Sequence, residues 1–564
     1  MTHINRSKLV SLTMLATLAS VFVVTSPAPP AAGAKTCPKP SQPILFDKQK
    51  YIDTTRGGGE PTVEQHPDGT LLYGSHAGTT HFYTPAAADD TTAAFVQNYT
   101  GQTYYYFSKD HGKTWTYQDR TLPPNNTPMS GFSDPEYAID AAGQVYVSEI
   151  NLLNVAVSKA TSSDEPFTLQ NFFAQTFTDR QWMEADKKDV LYLVGNALGG
   201  GTVPTEPVGH MGHYLHRSTD GGKTFTAGVL DGDGLGDLQI DRRDGTLYEA
   251  YYTGDRLSLV AYREARKGNL DKKETYLVAS GVNMLAHWPS FDLDAAGNIY
   301  MTWDESGRGG RPAGIYFSYS TTRGKTWSAP ARVDTNNNTD IWPWLAVGDN
   351  GKVAVAWLGA NKSLPNQDAE TAGDHEWRIY IAQTLNGLGC GSSKVPGFRT
   401  TTATPQAVHT GTICQGGTTC QAMAIDRRLG DFFTIEIDNG GHVWAGYSDT
   451  QQGGGVALPG FVHQRGGIPF VKQPAPPNPS VDGGGNPGGQ GSAGGGGGSG
   501  GGSSGGNTQG SANNPAADDV SGSATSDSGS SLAFTGAAII VFVVLALGLL
   551  VVGVILWRRA APKP

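Results

Sequence analysis

One phrase written seven times constrains this chain more than any other feature. It begins as "EPTVEQHPDGTLLYG" at Glu60, returns as "DPEYAIDAAGQVYVSE" at Asp134 and again as "RQWMEADKKDVLYLVG" at Arg180. It continues as "GDLQIDRRDGTLYEAYY" at Gly236, "WPSFDLDAAGNIYMTWDE" at Trp288, "WPWLAVGDNGKVAVAWLG" at Trp342 and "FFTIEIDNGGHVWAGYSD" at Phe432. Each copy is a strand-like run ending at or near an Asp, then a short polar turn, then a second run of β-branched, aromatic and small residues. That grammar is a β-hairpin. Gly143, Gly297, Gly351 and Gly440 or Gly441 give the turns a residue that accepts positive φ. The copies lie about 45 to 90 residues apart, with no long amphipathic helix between them, a period suited to propeller blades. The expected fold is an all-β, seven-bladed β-propeller over residues 35–472. A sandwich is the competing all-β fold, but it does not need seven similar hairpins.

A second phrase supplies further strands. "SKDHGKTWTY" at Ser108, "STDGGKTFTA" at Ser218 and "STTRGKTWSA" at Ser320 each read as strand, tight turn, strand. The Asp carboxylate can accept hydrogen bonds from the backbone of its own turn. Gly takes the left-handed position, and Trp or Phe packs inward. The third copy has Thr322 where the others have Asp110 and Asp220. Nothing in this phrase requires a ligand, so it belongs to the scaffold.

The pattern Ser-x-Asp-x-Gly-x-Thr-Trp resembles the Asp box of sialidase-type propellers. The resemblance covers about residues 45–470 and implies a sialidase-like propeller with these boxes on the outer rim, far from the active site. Sialidases bind an acidic sugar with three arginines, the first in an Arg-Ile-Pro motif. Here Pro61 matches the Pro, but Gly59 stands at the Arg position and Arg56 is out of register. The family's Tyr nucleophile, Glu partner and Asp acid/base have candidates in Tyr251, Glu249 and Asp255 of "LYEAYYTGD".

The starts of the inner strands offer a different site. Glu60, Asp134, Glu136, Arg180, Asp237, His287, Asp340 and Asp431 stand at or beside the aligned Pro column, with Trp182, Trp288 and Trp342. Side chains there should approach one mouth of the central channel. An acidic, aromatic mouth would repel an anionic sugar and suit a neutral one. Carboxylates accept from hydroxyls, and Trp faces stack on sugar rings. The loop "DGDGLGD" places Asp231, Asp233 and Asp237 close together, a candidate calcium site through oxygen ligands.

The ends of the chain concern location. Arg6 and Lys8, an apolar run over 9–24 and "AGA" at 32–34 read as a secretory signal over residues 1–34. Residues 473–530 are rich in Gly, Ser, Pro and Asn and read as a disordered, flexible stalk, with a span on the order of 40 Å. The apolar run 537–557 is long enough to cross a bilayer as a helix and is followed by Arg558 and Arg559. With "LAFTG" at 532–536, the segment 532–564 resembles a sortase cell-wall sorting signal. The resemblance implies cleavage after Thr535 and linkage of Thr535 to peptidoglycan. A plain membrane helix is the alternative.

Both readings place the head outside the cell, and the sorting-signal resemblance implies a surface of the Gram-positive type. There Cys37, Cys390, Cys414 and Cys420 would form two disulfides, with three pairings open. A net charge of −10 argues against nucleic acid as partner. The expected molecule is a monomeric, surface-displayed module that binds a glycan or a protein. An exo-acting glycoside hydrolase of sialidase type is the alternative.

Overall fold

The computed structural model describes residues 36–76, 103–120, 133–150, 155–173, 178–197, 212–226, 228–232, 236–285, 287–307, 312–416, 420, 425–451 and 455–470. The expected signal, stalk and sorting segment lie outside them. Among the described residues, no helix is long and apolar enough to cross a membrane.

The described strands form seven antiparallel sheets, each with four strands in a row; two sheets carry one more. The inner strands are Gly59–Gln65, Ser133–Ile139, Thr178–Ala185, Gly236–Asp241, Ser290–Leu293, Asp340–Val347 and Ile435–Ile437, for blades 1 to 7 in that order. Each inner strand packs against the inner strand of the next blade, and that of blade 7 packs against that of blade 1. The sheets therefore close into a ring, and the fold is a seven-bladed β-propeller.

The hairpin turns form for the reasons their residues suggest. Asp140 Oδ1 accepts the backbone N–H groups of Ala142 and Gln144, and Gly143 sits at φ 77°. Its Oδ2 accepts the N–H of Asp189 in blade 3, so the same side chain ties neighbouring blades. Asp294 repeats the local pattern with Ala296 and Asn298.

The repeated Ser-x-Asp-x-Gly phrase is likewise structural. Asp110 accepts from Lys113 N–H at 3.0 Å, Thr114 N–H at 2.9 Å and the Thr114 hydroxyl at 2.6 Å. Asp220 does the same in its copy at 3.1, 2.9 and 2.6 Å. In the third copy, the Thr322 hydroxyl accepts Thr326 N–H at 2.8 Å. Trp115 of the first copy packs on Phe461 and Trp444 of blade 7, with ring centroids 5.2 and 6.3 Å away. The phrase anchors a blade to its neighbour.

Blade 7 is built from both ends of the described chain. Its outer strand is Leu45–Phe46, paired with Leu458–Gly466, and Lys50–Tyr51 pairs with that same strand. Cys37 is bonded to Cys390, and Cys414 to Cys420. The N-terminal segment is thus held to blade 6 by a covalent bond and to blade 7 by strand pairing.

Candidate functional site at the channel mouth

Four inner strands begin with the same distortion. Glu60, Asp134, Arg180 and Trp342 have φ of 46°, 51°, 53° and 58°, in the left-handed region where non-glycine residues are uncommon. The pairing register slips beside each of them. A bulge re-aims the strand start, and strain of roughly 1–3 kcal/mol per residue persists only where the surroundings enforce it.

At blade 1 the enforcement is visible. Glu60 is fully buried. Its Oε1 accepts Asp431 N–H at 3.0 Å and lies 3.7 Å from Arg427. Its Oε2 lies 2.6 Å from His76 Nε2 and accepts Asp134 N–H at 3.3 Å. One carboxylate therefore brackets blades 7, 1 and 2. The side chain of Gln181 donates to the Asp134 carbonyl, extending the bracket to blade 3.

Asp431 is the second centre. It takes Arg427 through both carboxylate oxygens and Arg180 Nη2 at 2.8 Å. Burial alone would raise its pKa, but the two guanidiniums hold it below the ordinary carboxylate range. Arg180 also lies over the Trp288 ring, 4.6 Å from its centroid. His287 stacks on Trp288 at 4.3 Å. His287 is 4 % exposed, and burial, helped by Arg180, pushes its pKa down to about 3. It is therefore a neutral imidazole at neutral pH.

Beneath this charged layer four rings meet from blades 3, 5, 6 and 7. Trp182 lies 5.1 Å from Trp288, 5.6 Å from Trp344 and 5.6 Å from Phe432. Alternation along the inner strands carries the channel lining onward to acids. Glu136 is pushed well above its usual range by burial and then by Asp237, Glu184 and Glu64. Burial, against the pull of Arg242, raises Glu184 to about 8, with Glu64, Asp237 and Asp292 adding to the rise. Asp237 is raised to about 8 by burial, although it accepts N–H groups from Phe291 and Leu238.

The sequence-derived residues separate into groups. Glu60, Asp134, Arg180, His287, Trp288 and Asp431 belong to one connected network at the mouth. Glu136 and Asp237 belong to the acidic lining, and Asp237 is already engaged by the start of blade 5. Trp182, Trp288 and Trp342 are 3, 1 and 2 % exposed, so they are core and offer no open face for a sugar ring, contrary to expectation. The N–H of Trp342 donates to Asp304. Asp340 is buried, its pKa raised by desolvation and then by Asp334 rather than by any mouth group. Glu249 is fully buried and paired with His213 of blade 3. Tyr251 is half-buried against the core, and Asp255 is exposed in the turn of blade 4. Asp231 lies in the strand Val229–Gly232, and Asp233 is outside the described residues.

Sequence reasoning missed His76, Arg427, Trp344 and Phe432. Trp344 aligns with Trp182 in the repeat and could have been found that way. Arg427 precedes the seventh copy in a segment with no counterpart elsewhere, so no periodicity marks it.

No known protein family matches the sequence, and no curated protein does. Solved structures do. One is a protein of unknown function from Dyadobacter fermentans, 12 % identical, covering 75 % of this chain and 99 % of that one, with a TM-score of 0.38. Another is the NanB sialidase from Streptococcus pneumoniae, 11 % identical, covering 76 and 71 %, with a TM-score of 0.37. A third is an ulvan lyase of polysaccharide lyase family PL25, 10 % identical, covering 73 and 95 %, with a TM-score of 0.42. At these identities no activity is carried over to this chain.

Proposed function

We propose that this chain is an extracellular binding module that holds a neutral, hydroxyl-rich glycan at the channel mouth, with a protein surface as the second class of ligand. The observation that carries the reading is the state of the guanidiniums. Arg180 and Arg427 both pair with Asp431, while Glu60 and Asp134 add further carboxylates. An anionic sugar would have to displace Asp431 from two arginines; a neutral one would not. Binding rests on hydrogen bonds to hydroxyls from the half-buried Asp134 and Arg180, since the tryptophans are enclosed.

Residues 473–530 would act as a stalk and 532–564 as the anchor, with Thr535 the point of attachment to peptidoglycan. Deletion of 532–536 should move the protein from the wall fraction to the medium; unchanged attachment would remove the sortase reading.

The binding reading is tested by offering the full-length protein neutral and sialylated glycans on an array, together with fluorogenic sialosides and neutral glycosides. Retention on neutral glycans without turnover is expected. Turnover of a sialoside that is lost in Tyr251→Phe would overturn it in favour of the hydrolase.

A further inference from the structure

Glu60, His76 and Asp134 bring a carboxylate oxygen, an imidazole nitrogen and a second carboxylate oxygen within 4.8 Å of one another. They come from three strands of two blades: the first and second strands of blade 1 and the first of blade 2. We propose that they form a binding site for one divalent transition ion of the Zn²⁺ class. The inference goes beyond the glycan reading and does not depend on it.

The geometry of Glu60 carries the argument. Its carboxylate is two-sided. Oε1 faces the positive groups, with Asp431 N–H at 3.0 Å and Arg427 at 3.7 Å. Oε2 faces the imidazole, 2.6 Å from His76 Nε2. The guanidinium thus offsets part of the negative charge of Glu60, and acts on Asp134 as well, while Oε2 stays turned toward His76. Asp134 is fixed through its backbone, since its N–H donates to Glu60 and its carbonyl accepts from Gln181. Its half-buried carboxylate is the accessible member of the three, while His76 and Glu60 are fully enclosed.

One nitrogen and two carboxylate oxygens suit a borderline ion. Calcium asks for six to eight oxygens, which this set does not supply. Three protein ligands leave a fourth tetrahedral position, open toward the mouth through Asp134, for water or a ligand oxygen. The ion would be bound through the lone pair of His76 Nε2 together with one oxygen from each carboxylate. The competing use of these groups is the direct His76–Glu60 hydrogen bond alone, with no metal.

The test uses the full-length protein in detergent, stripped with a chelator and titrated calorimetrically with Zn²⁺ and, separately, Ca²⁺. One Zn²⁺ per chain is expected, and Zn²⁺ is expected to raise the melting temperature. His76→Gln and Asp134→Asn should each weaken uptake at least tenfold, with circular dichroism confirming that the variants stay folded. Because Asp134 is half-buried, its Asn variant tests the site even if the His76 variant unfolds. Absence of Zn²⁺ uptake by the wild type would overturn the proposal. So would uptake that is unchanged in Asp134→Asn.

Discussion

Asp110 and Glu184 are both acids on the same ring, yet their surroundings have opposite effects. Asp110 sits in a rim turn, where it accepts hydrogen bonds from its own loop and its pKa falls to about 2 despite the opposing effect of burial. Glu184 lines the channel, enclosed by protein and facing acids from other blades, and its pKa rises to about 8. At the rim, ionisation strengthens the fold; in the channel, it weakens the fold. Local bonds within one turn can be repeated from blade to blade. Groups gathered from several blades are unique to the centre, and that is where site chemistry can differ from scaffold chemistry.

The largest test of this contrast is Glu60→Gln. The change turns an amide N–H₂ toward donors on one side and leaves buried Arg427 without its second carboxylate. A loss of about 3–5 kcal/mol is expected from urea unfolding. A loss below about 1 kcal/mol would show that the mouth is as local in its energetics as the rim.

The second test is the pH dependence of stability. The raised pKa of Glu184 means that the folded state holds its proton more tightly than the unfolded chain does. That contribution is complete below the ordinary Glu value near 4.5 and is lost as pH rises through about 8. The slope is at most about 1.4 kcal/mol per pH unit for one group. Glu184→Gln should flatten the decline between pH 5 and 8, measured by denaturation at each pH. An unchanged profile would take Glu184 out of the acidic set.

The rim has the opposite sign. Asp110 contributes stability above its unfolded value near 4, and that contribution is lost as pH falls through about 2. Asp110→Ala and Asp220→Ala should each cost about 1 kcal/mol near neutral pH, and by similar amounts because their bonds match within 0.1 Å. Unequal losses would mean that the turns are not independent of their blades. The smallest effect is expected for Thr322→Asp. Restoring the carboxylate in the third copy should add less than about 1 kcal/mol, read as a small rise in the unfolding midpoint.

The same contrast explains what could be read from the chain alone. The hairpins, their glycines and the turn acids are written in short windows, so blade number and rim chemistry were legible. The column of Glu60, Asp134 and Arg180 was also legible as a set of strand starts pointing to one mouth. Their left-handed backbone was not, because a bulge depends on what the neighbouring blade presses against it. Arg427, His76 and the pairing of Asp431 with two arginines depend on contacts between residues distant in the chain. Trp182 and Trp288 were correctly placed at the centre but assigned to a ligand, because an inward aromatic looks the same in sequence whether it faces a channel or plugs it.

Blade 7 has a consequence for the order of assembly. Its outer strand, Leu45–Phe46, is made before any other described strand of the ring, while its partner, Leu458–Gly466, is made last. The ring cannot close until synthesis is nearly complete, and the Cys37–Cys390 bond cannot form before the chain has passed the strand Glu376–Thr384 of blade 6 and reached Cys390. The strand Leu45–Phe46 must therefore wait for its sheet partner until the end, and a chain truncated before Leu458 would lack the strand on which it docks.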